Sequence, residues 1–316
     1  MNVIEVEKLT KVYDKKIAVD SVDFHVRQGE IFGFLGPNGA GKTTTINMLT
    51  GLARISSGRV RIMGKTCESG VKQVQHFMGV VPDESNLYDE MNGFENLSFC
   101  AALYGLEKKW REKRANELLE MFDLAQAGKK PFKAYSKGMK RKLTIAAGII
   151  HQPKILFLDE PTTGIDVASA RQIRTLIGEL NRSGTTIFLT THYMEEAERL
   201  CHRLAFIVEG RIIRLGNTDD LMREAQKEHV LHLTFMGDAG EIRRIKERLP
   251  GINRVDLVND GTARIFSAEP VDLLSLMDFF KSNGFALFEA RPIRPSLEEV
   301  FVNITGIEQG AHKLTG

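Results

Sequence analysis

The feature that most constrains this chain is a glycine-rich loop set between a short apolar run and a helical pattern. Residues 31–35 (Ile-Phe-Gly-Phe-Leu) favour a strand, and residues 43–50 read as a helix stopped by Gly51. Between them, Gly36, Gly41, Lys42 and Thr43 satisfy the phosphate-loop spacing G-x-x-x-x-G-K-[ST], with Pro37, Asn38, Gly39 and Ala40 filling it and Thr44 following. The order has a physical reason. Glycines let consecutive backbone N–H groups turn towards one anion, and a helix N-terminus adds a fixed partial positive charge. Lys42 is placed for the β- and γ-phosphates and the Thr43 hydroxyl for Mg²⁺. The loop predicts a nucleoside triphosphate site.

Upstream, residues 3–6 and 17–26 contain alternating apolar and polar positions around a turn at Lys15-Lys16, which predicts an antiparallel β region. Tyr13 precedes that turn. Its ordinary reading is a half-buried aromatic; because a phosphate loop follows, stacking on a purine ring is the alternative. Downstream, residues 58–64 and 77–81 read as short strands, the second ending at Pro82-Asp83-Glu84. Residues 93–106 and 108–124 carry helical periodicity, with Trp110, Leu118, Leu119 and Phe122 expected as the buried stripe of the second segment. Ser136 is an N-cap candidate for a basic helix, Lys137-Gly138-Met139-Lys140-Arg141-Lys142, which taken by itself reads as a surface helix.

Residues 155–158 are four apolar residues in a row, the mark of a strand buried on both faces. Asp159 and Glu160 close it, where an open parallel sheet presents its ligands. Asp159 is placed to hold Mg²⁺, and Glu160 to polarise an attacking water. A turn at residues 162–166, a helix at 171–180 and a strand at 186–189 follow; His192 stands just past that strand, where its ordinary reading is a surface or core residue and reaching a γ-phosphate is the alternative. Strands alternating with helices argue for an α/β domain with a largely parallel sheet.

Together these segments, from about residue 3 to 221, closely resemble the ATP-binding subunit of ABC transporters. Residues 36–44 are similar to that family's phosphate motif and residues 156–160 to its Mg²⁺ strand. Ser136 and Gly138 fall in its signature motif, Gly164 to Asp166 in its dimer-facing loop, His192 at its switch position, and Tyr13 at its adenine-stacking aromatic. The resemblance implies a P-loop cassette made of a largely parallel sheet, an antiparallel β subdomain and a helical subdomain at about residues 85–150. It implies ATP and Mg²⁺ as ligands, Glu160 as general base with His192 on the γ-phosphate, and Thr43, Asp83 and Asp159 as the metal's ligands. It also implies a head-to-tail homodimer in which Ser136, Gly138 and Asp166 serve the partner's nucleotide, the basic cluster lying near that interface. Two positions depart from the family: Lys137 and Met139 replace a glycine and a glutamine of the signature, and Asp83 replaces a glutamine. The form Tyr135-Ser136-Lys137-Gly138-Met139-Lys140 resembles the branch of drug, sodium, haem and polysaccharide efflux ATPases.

From about residue 229 the order of predicted elements becomes β-α-β-β-α-β, with Asn259-Asp260-Gly261 as a hairpin signal, which predicts a small ferredoxin-like domain. The expected division is therefore an ATPase domain at 1–222, an accessory domain at 229–306 and a tail at 307–316. A net charge of +2 on 316 residues asks for no nucleic acid, and no apolar run approaches the roughly 18–20 residues that cross a bilayer. The start lacks the features of a signal peptide. The expectation is a cytoplasmic ATPase, peripheral on the inner face of the membrane through a separate permease. A soluble ABC-type ATPase acting on ribosomes or nucleic acid is the rival reading, disfavoured by the single cassette and the lack of inserted heptads or a cysteine hook. An importer subunit would share the cassette but not readily this tail.

Overall fold

The computed structural model describes residues 1–67, 71–225, 228–242, 244–293 and 295–306. The expected tail at 307–316 lies outside them. The described residues part into two compact units, one within 1–218 and one within 219–306.

In the first unit, β1 (Asn2–Tyr13) and β2 (Lys16–Arg27) form the predicted antiparallel pair, longer than their alternating cores suggested. The strand β3 (Ile31–Leu35) is buried throughout and runs into the phosphate loop, from which α1 (Lys42–Leu49) departs. The strands β4 (Ser57–Ile62) and β5 (Lys65–Thr66) complete a four-stranded antiparallel sheet in the order β2–β1–β4–β5. Next come β6 (Met78–Val81) and the helices α2 (Gly93–Leu103), α3 (Lys108–Met121) and α4 (Lys137–Gly148). They are followed by β7 (Ile155–Asp159), α5 (Val167–Arg182), β8 (Thr186–Thr191), α6 (Met194–Leu200), β9 (Arg203–Val208) and β10 (Arg211–Asn217). The second sheet has the order β10–β9–β3–β8–β7–β6, parallel except for the β9–β10 hairpin.

The two sheets share one core. Phe24 of the antiparallel sheet lies with ring centroids 5.5–5.9 Å from Phe32, Phe34 and Phe188 of the parallel one. Burying an aromatic side chain is worth about 1.5–3 kcal/mol, so this cluster fixes β3 and β8 against the antiparallel layer. The parallel order then aligns the carboxyl ends of β3, β8, β7 and β6, where the phosphate loop, His192, Asp159–Glu160 and Asp83 respectively emerge.

Two expectations are corrected. Leu118, Leu119 and Phe122 are buried, but Trp110 is 37% exposed: it sits in the first turn of α3, before the stretch whose side chains reach the core. The basic run of α4 is not a solvated or interfacial face throughout, since Arg141 and Lys142 are both 7% exposed. The helix turns them inward on the side that carries Gly138 and Ile145.

The second unit opens with α7 (Thr218–Ala225), whose first residue closes the first unit. It continues with β11 (His229–Met236), the single-turn helices α8 (Ala239–Ile242) and α9 (Ile245–Arg248), β12 (Ile252–Asn259), β13 (Thr262–Ser267), α10 (Leu273–Ser282), β14 (Ala286–Ile293) and α11 (Leu297–Thr305). The sheet is antiparallel in the order β12–β13–β11–β14. Where the predicted order β-α-β-β-α-β has one helix after its first strand there are two single turns; Ile242 and Ile245 are both buried and hold both turns to the same core.

Candidate functional site

The phosphate loop is built by close backbone packing. A Cβ on Gly36 would lie 2.0 Å from the Ile207 carbonyl oxygen, and one on Gly41, which has φ +104°, 2.5 Å from the Ala18 carbonyl oxygen. Larger residues would force the loop off β2 and β9. A Cβ on Gly39 meets nothing within 4 Å, so the concave side of the loop is open. It faces a cleft of about 670 Å³ whose lining includes Tyr13, Asn38, Lys42, Thr43, Asp83 and Glu160. Tyr13 is 46% exposed, with the Lys11 ammonium 4.5 Å from its ring centroid. Ala40 is buried beneath the loop, and the Pro37 carbonyl turns towards Lys42.

Lys42 is itself buried. Its Nζ donates to the Gly36 carbonyl at 2.8 Å and the Pro37 carbonyl at 3.2 Å, and lies 3.1 Å from Glu160 Oε1. That last contact is an ion pair by distance but lacks hydrogen-bond alignment, leaving Oε1 without a hydrogen-bond partner. The other oxygen, Oε2, is well supplied: His192 Nδ1 lies at 2.8 Å and Thr163 Oγ1 donates at 3.0 Å. A carboxylate only accepts, so the His192 proton sits on Nδ1. Burial pushes the Glu160 carboxyl up, but Lys42 and His192 together pull it further down, and it ends below the usual carboxylate range. The glutamate is thus an anion, held with one oxygen poorly satisfied.

Asp159, 3% exposed, receives a short hydrogen bond from the Thr190 hydroxyl on its Oδ1. Asp83 lines the cleft; burial raises its carboxyl, Arg141 pulls it back, and Asp159, Glu160 and Glu84 push it up again, for a net rise. Among the described residues, no group of three or more His, Cys, Asp or Glu side chains could hold a metal ion alone. This donor set fits Mg²⁺, which is held by one or two carboxylates together with substrate phosphates. Thr43 and Asp83 open onto the same cleft, beside the lysine that would meet those phosphates.

Ser136, Gly138 and Asp166 do not line the cleft. Ser136 caps α4, accepting from the Met139 N–H at 3.2 Å, and Asp166 caps α5, accepting from the Ser169 N–H at 2.9 Å. A Cβ on Gly138 would lie 2.3 Å from Ser169 Oγ and 3.8 Å from Asp166 Oδ2, so these residues form a second group of their own. Sequence reasoning missed Arg141, whose guanidinium reaches the carbonyls on either side of Glu160. Its spacing carried no signal, because which face of α4 is buried is set by the elements packed against the helix.

Residues 19–163 match the family model described as ABC transporter. The chain is 35% identical over 313 residues to the linearmycin resistance ATP-binding protein LnrL of Bacillus subtilis, covering 96% of this chain and 98% of that one. It is 36% identical over 307 residues to the daunorubicin resistance ATP-binding protein DrrA3 of Streptomyces coeruleorubidus, with 96% of each covered. It is 36% identical over 308 residues to the Nod factor export ATP-binding protein I of Ralstonia nicotianae, covering 97% of this chain and 94% of the relative. Among solved structures, an ATP-binding subunit of an ABC transporter aligns with a TM-score of 0.64 at 31% identity, over 70% of this chain and 92% of that one. The protein cbiO1 of Clostridium perfringens, part of an ABC transporter complex, aligns with a TM-score of 0.65 at 28% identity, over 79% of this chain and 96% of its own.

Proposed function

The chain belongs to the ABC transporter family as an ATP-binding subunit, and from that premise we propose that it is the ATPase of an exporter, driving a separate membrane permease. The reading is supported by relatives named for drug resistance and Nod factor export that match over nearly their whole length, second unit included. Among the described residues no helix is long and apolar enough to cross a membrane, so the translocation path is assigned to the permease. The subunit would work in the cytoplasm, bound to the membrane face through that permease.

The observation that carries the chemistry is the Glu160 carboxylate, held at the mouth of the phosphate loop by Lys42 and His192. Tyr13 offers its exposed ring to the adenine, and the phosphate-loop N–H groups other than that of Ala40, which donates to the Pro37 carbonyl, are assigned to the phosphates. Lys42 exchanges its present partners, the Gly36 and Pro37 carbonyls and Glu160, for phosphate oxygens. That exchange leaves Glu160 Oε1 free to take the proton of the attacking water, while His192 keeps Oε2 oriented and faces the γ-phosphate. Thr43, Asp159 and Asp83 would hold Mg²⁺, and the ion would supply positive charge there to offset the charge of the phosphates. Ser136, Gly138 and Asp166, lying off the cleft, are assigned to the nucleotide of a second copy paired head to tail, so that ATP closes the dimer and hydrolysis reopens it.

Glu160→Gln tests this directly. It should bind ATP as tightly as the wild type, hydrolyse it about 10²–10⁴-fold more slowly, and accumulate as a closed dimer in sedimentation. Lys42→Ala should instead weaken nucleotide binding itself, measured by calorimetry. Wild-type turnover by Glu160→Gln would remove Glu160 from the role of base.

A further inference from the structure

Glu160 is held in the left-handed region, at φ +48°. A non-glycine residue there costs on the order of 1 kcal/mol or more and keeps that conformation only when its surroundings over-determine it. Its own N–H is bound to the Thr190 carbonyl at 3.1 Å. The peptides on either side are held by one side chain from elsewhere, Arg141 of α4. Arg141 Nη2 donates to the Asp159 carbonyl at 2.5 Å, and Nε donates to the Pro161 carbonyl at 2.9 Å. The same guanidinium reaches the loop after β6, where Nη1 donates to the Asp83 carbonyl at 3.0 Å and makes a short bond to the Pro82 carbonyl. One planar group, 7% exposed, thus satisfies four carbonyls from two separate segments, and those segments carry Asp83, Asp159 and Glu160.

We propose that Arg141 is a positioning residue of the ATPase reaction: by bracketing Glu160 and pinning the Asp83 loop, it holds the base and the metal-side carboxylates in register within its own subunit. Only a guanidinium fits the task. Its donors lie in a rigid fork, whereas a lysine ammonium is one point on a flexible stem and cannot span four carbonyls. The arrangement also explains why this charge is buried. Ser136 and Gly138 begin the same helix, so a tilt of α4 when that end engages a second copy is carried by Arg141 to the peptides around Glu160. The proposal rests on Glu160 as the base and deepens that reading.

The test uses the full-length protein with Arg141→Met and Arg141→Lys, beside Glu160→Gln. The methionine variant should bind ATP within threefold of the wild type, because the phosphate loop is untouched, yet turn over on the order of 10²-fold more slowly, the scale of an ångström-sized misplacement of a catalytic group. The lysine variant should fall between, and keeps the question answerable if methionine does not fold. Mixed dimers add a readout that a general packing defect would not give. In a head-to-tail pair, Ser136→Arg mixed with Lys42→Ala places both defects in one site and should recover activity in the other. Arg141→Met mixed with Lys42→Ala should not recover, because Arg141 acts on its own subunit's base.

Recovery of the Arg141→Met mixture to the level of the Ser136→Arg mixture would overturn the proposal, as would full turnover by folded Arg141 variants while Glu160→Gln is inactive. Parallel loss of turnover, affinity and melting temperature in both Arg141 variants would also overturn it, by making Arg141 a packing residue. Wild-type turnover by Glu160→Gln would instead strike the base reading, and the proposal with it. If neither mixture recovers although mixed dimers are proven, the shared-site reading fails. The split between turnover and affinity then decides Arg141 by itself.

Discussion

At the scale of single residues, the Lys42–Glu160 pair is an interaction with two uses. Both side chains are more than nine-tenths buried, and a buried pair broken from one side leaves an uncompensated charge. Glu160 is depressed in the folded chain, so its contribution to stability is complete above the unfolded carboxyl value of about 4.3 and is lost as pH falls through the lower folded value. Glu160→Gln, which has no such proton to gain, should lose less melting temperature than the wild type between about pH 5 and pH 3.5, measured by calorimetric scans without nucleotide. Equal acid slopes would show that the pair is not formed in solution. Phosphate oxygens that draw Lys42 away remove that contribution and expose Oε1 together, so the contact that stabilises the fold is also the one that engages the base.

At the scale of elements, the carboxyl-edge strands and loops were legible because each carries its own local signal. The glycine spacing at residues 36–41 marks the loop, the apolar run at 155–158 marks a strand buried on both faces, and the hairpin at 259–261 follows from Asn-Asp-Gly. What was not legible depends on which way a helix turns. Trp110 looked apolar enough for the core, yet lies in the first turn of α3; Arg141 looked like surface charge, yet lies on the inward stripe of α4. Neither position is fixed by spacing within its own helix, because the choice of buried face is made by the elements packed against it. The loop after β6 is an intermediate case. The resemblance assigned Asp83 to the metal; in the structure its carbonyl is anchored by Arg141 and the residue lines the cleft. Since the backbone anchor survives any side-chain change, Asp83→Gln should retain most activity, whereas Asp83→Ala should lower permease-stimulated turnover with ATP affinity nearly unchanged. Equal stimulated rates for the alanine variant and the wild type would reduce Asp83 to a loop residue.

At the scale of the whole molecule, the second unit carries a core of its own. Leu231, Leu233 and Phe235 from β11, Ala263 and Ile265 from β13, and Leu276, Phe279 and Phe280 from α10 are buried together. Phe235, Phe279 and Phe285 each lie with ring centroids 5.9–6.1 Å from Phe280. At about 1.5–3 kcal/mol for each large apolar side chain, that cluster is of the size that holds a small domain together, and the strand order β12–β13–β11–β14 supports assigning it a ferredoxin-like arrangement. All residues lining the nucleotide cleft belong to the first unit. The division of labour proposed here follows: the first unit holds the chemistry, and the second brings two subunits together or restrains their opening, raising the effective concentration of one site near the other. A chain ending at Glu228 should therefore bind ATP with near wild-type affinity, while its turnover should rise more steeply with protein concentration than that of the full chain. ATPase titrations paired with sedimentation across the same concentrations would measure both. Identical concentration dependence would deny the second unit a part in dimerisation. A folded truncation that cannot bind ATP would make it part of the nucleotide site, because the cleft residues would then be present without being sufficient.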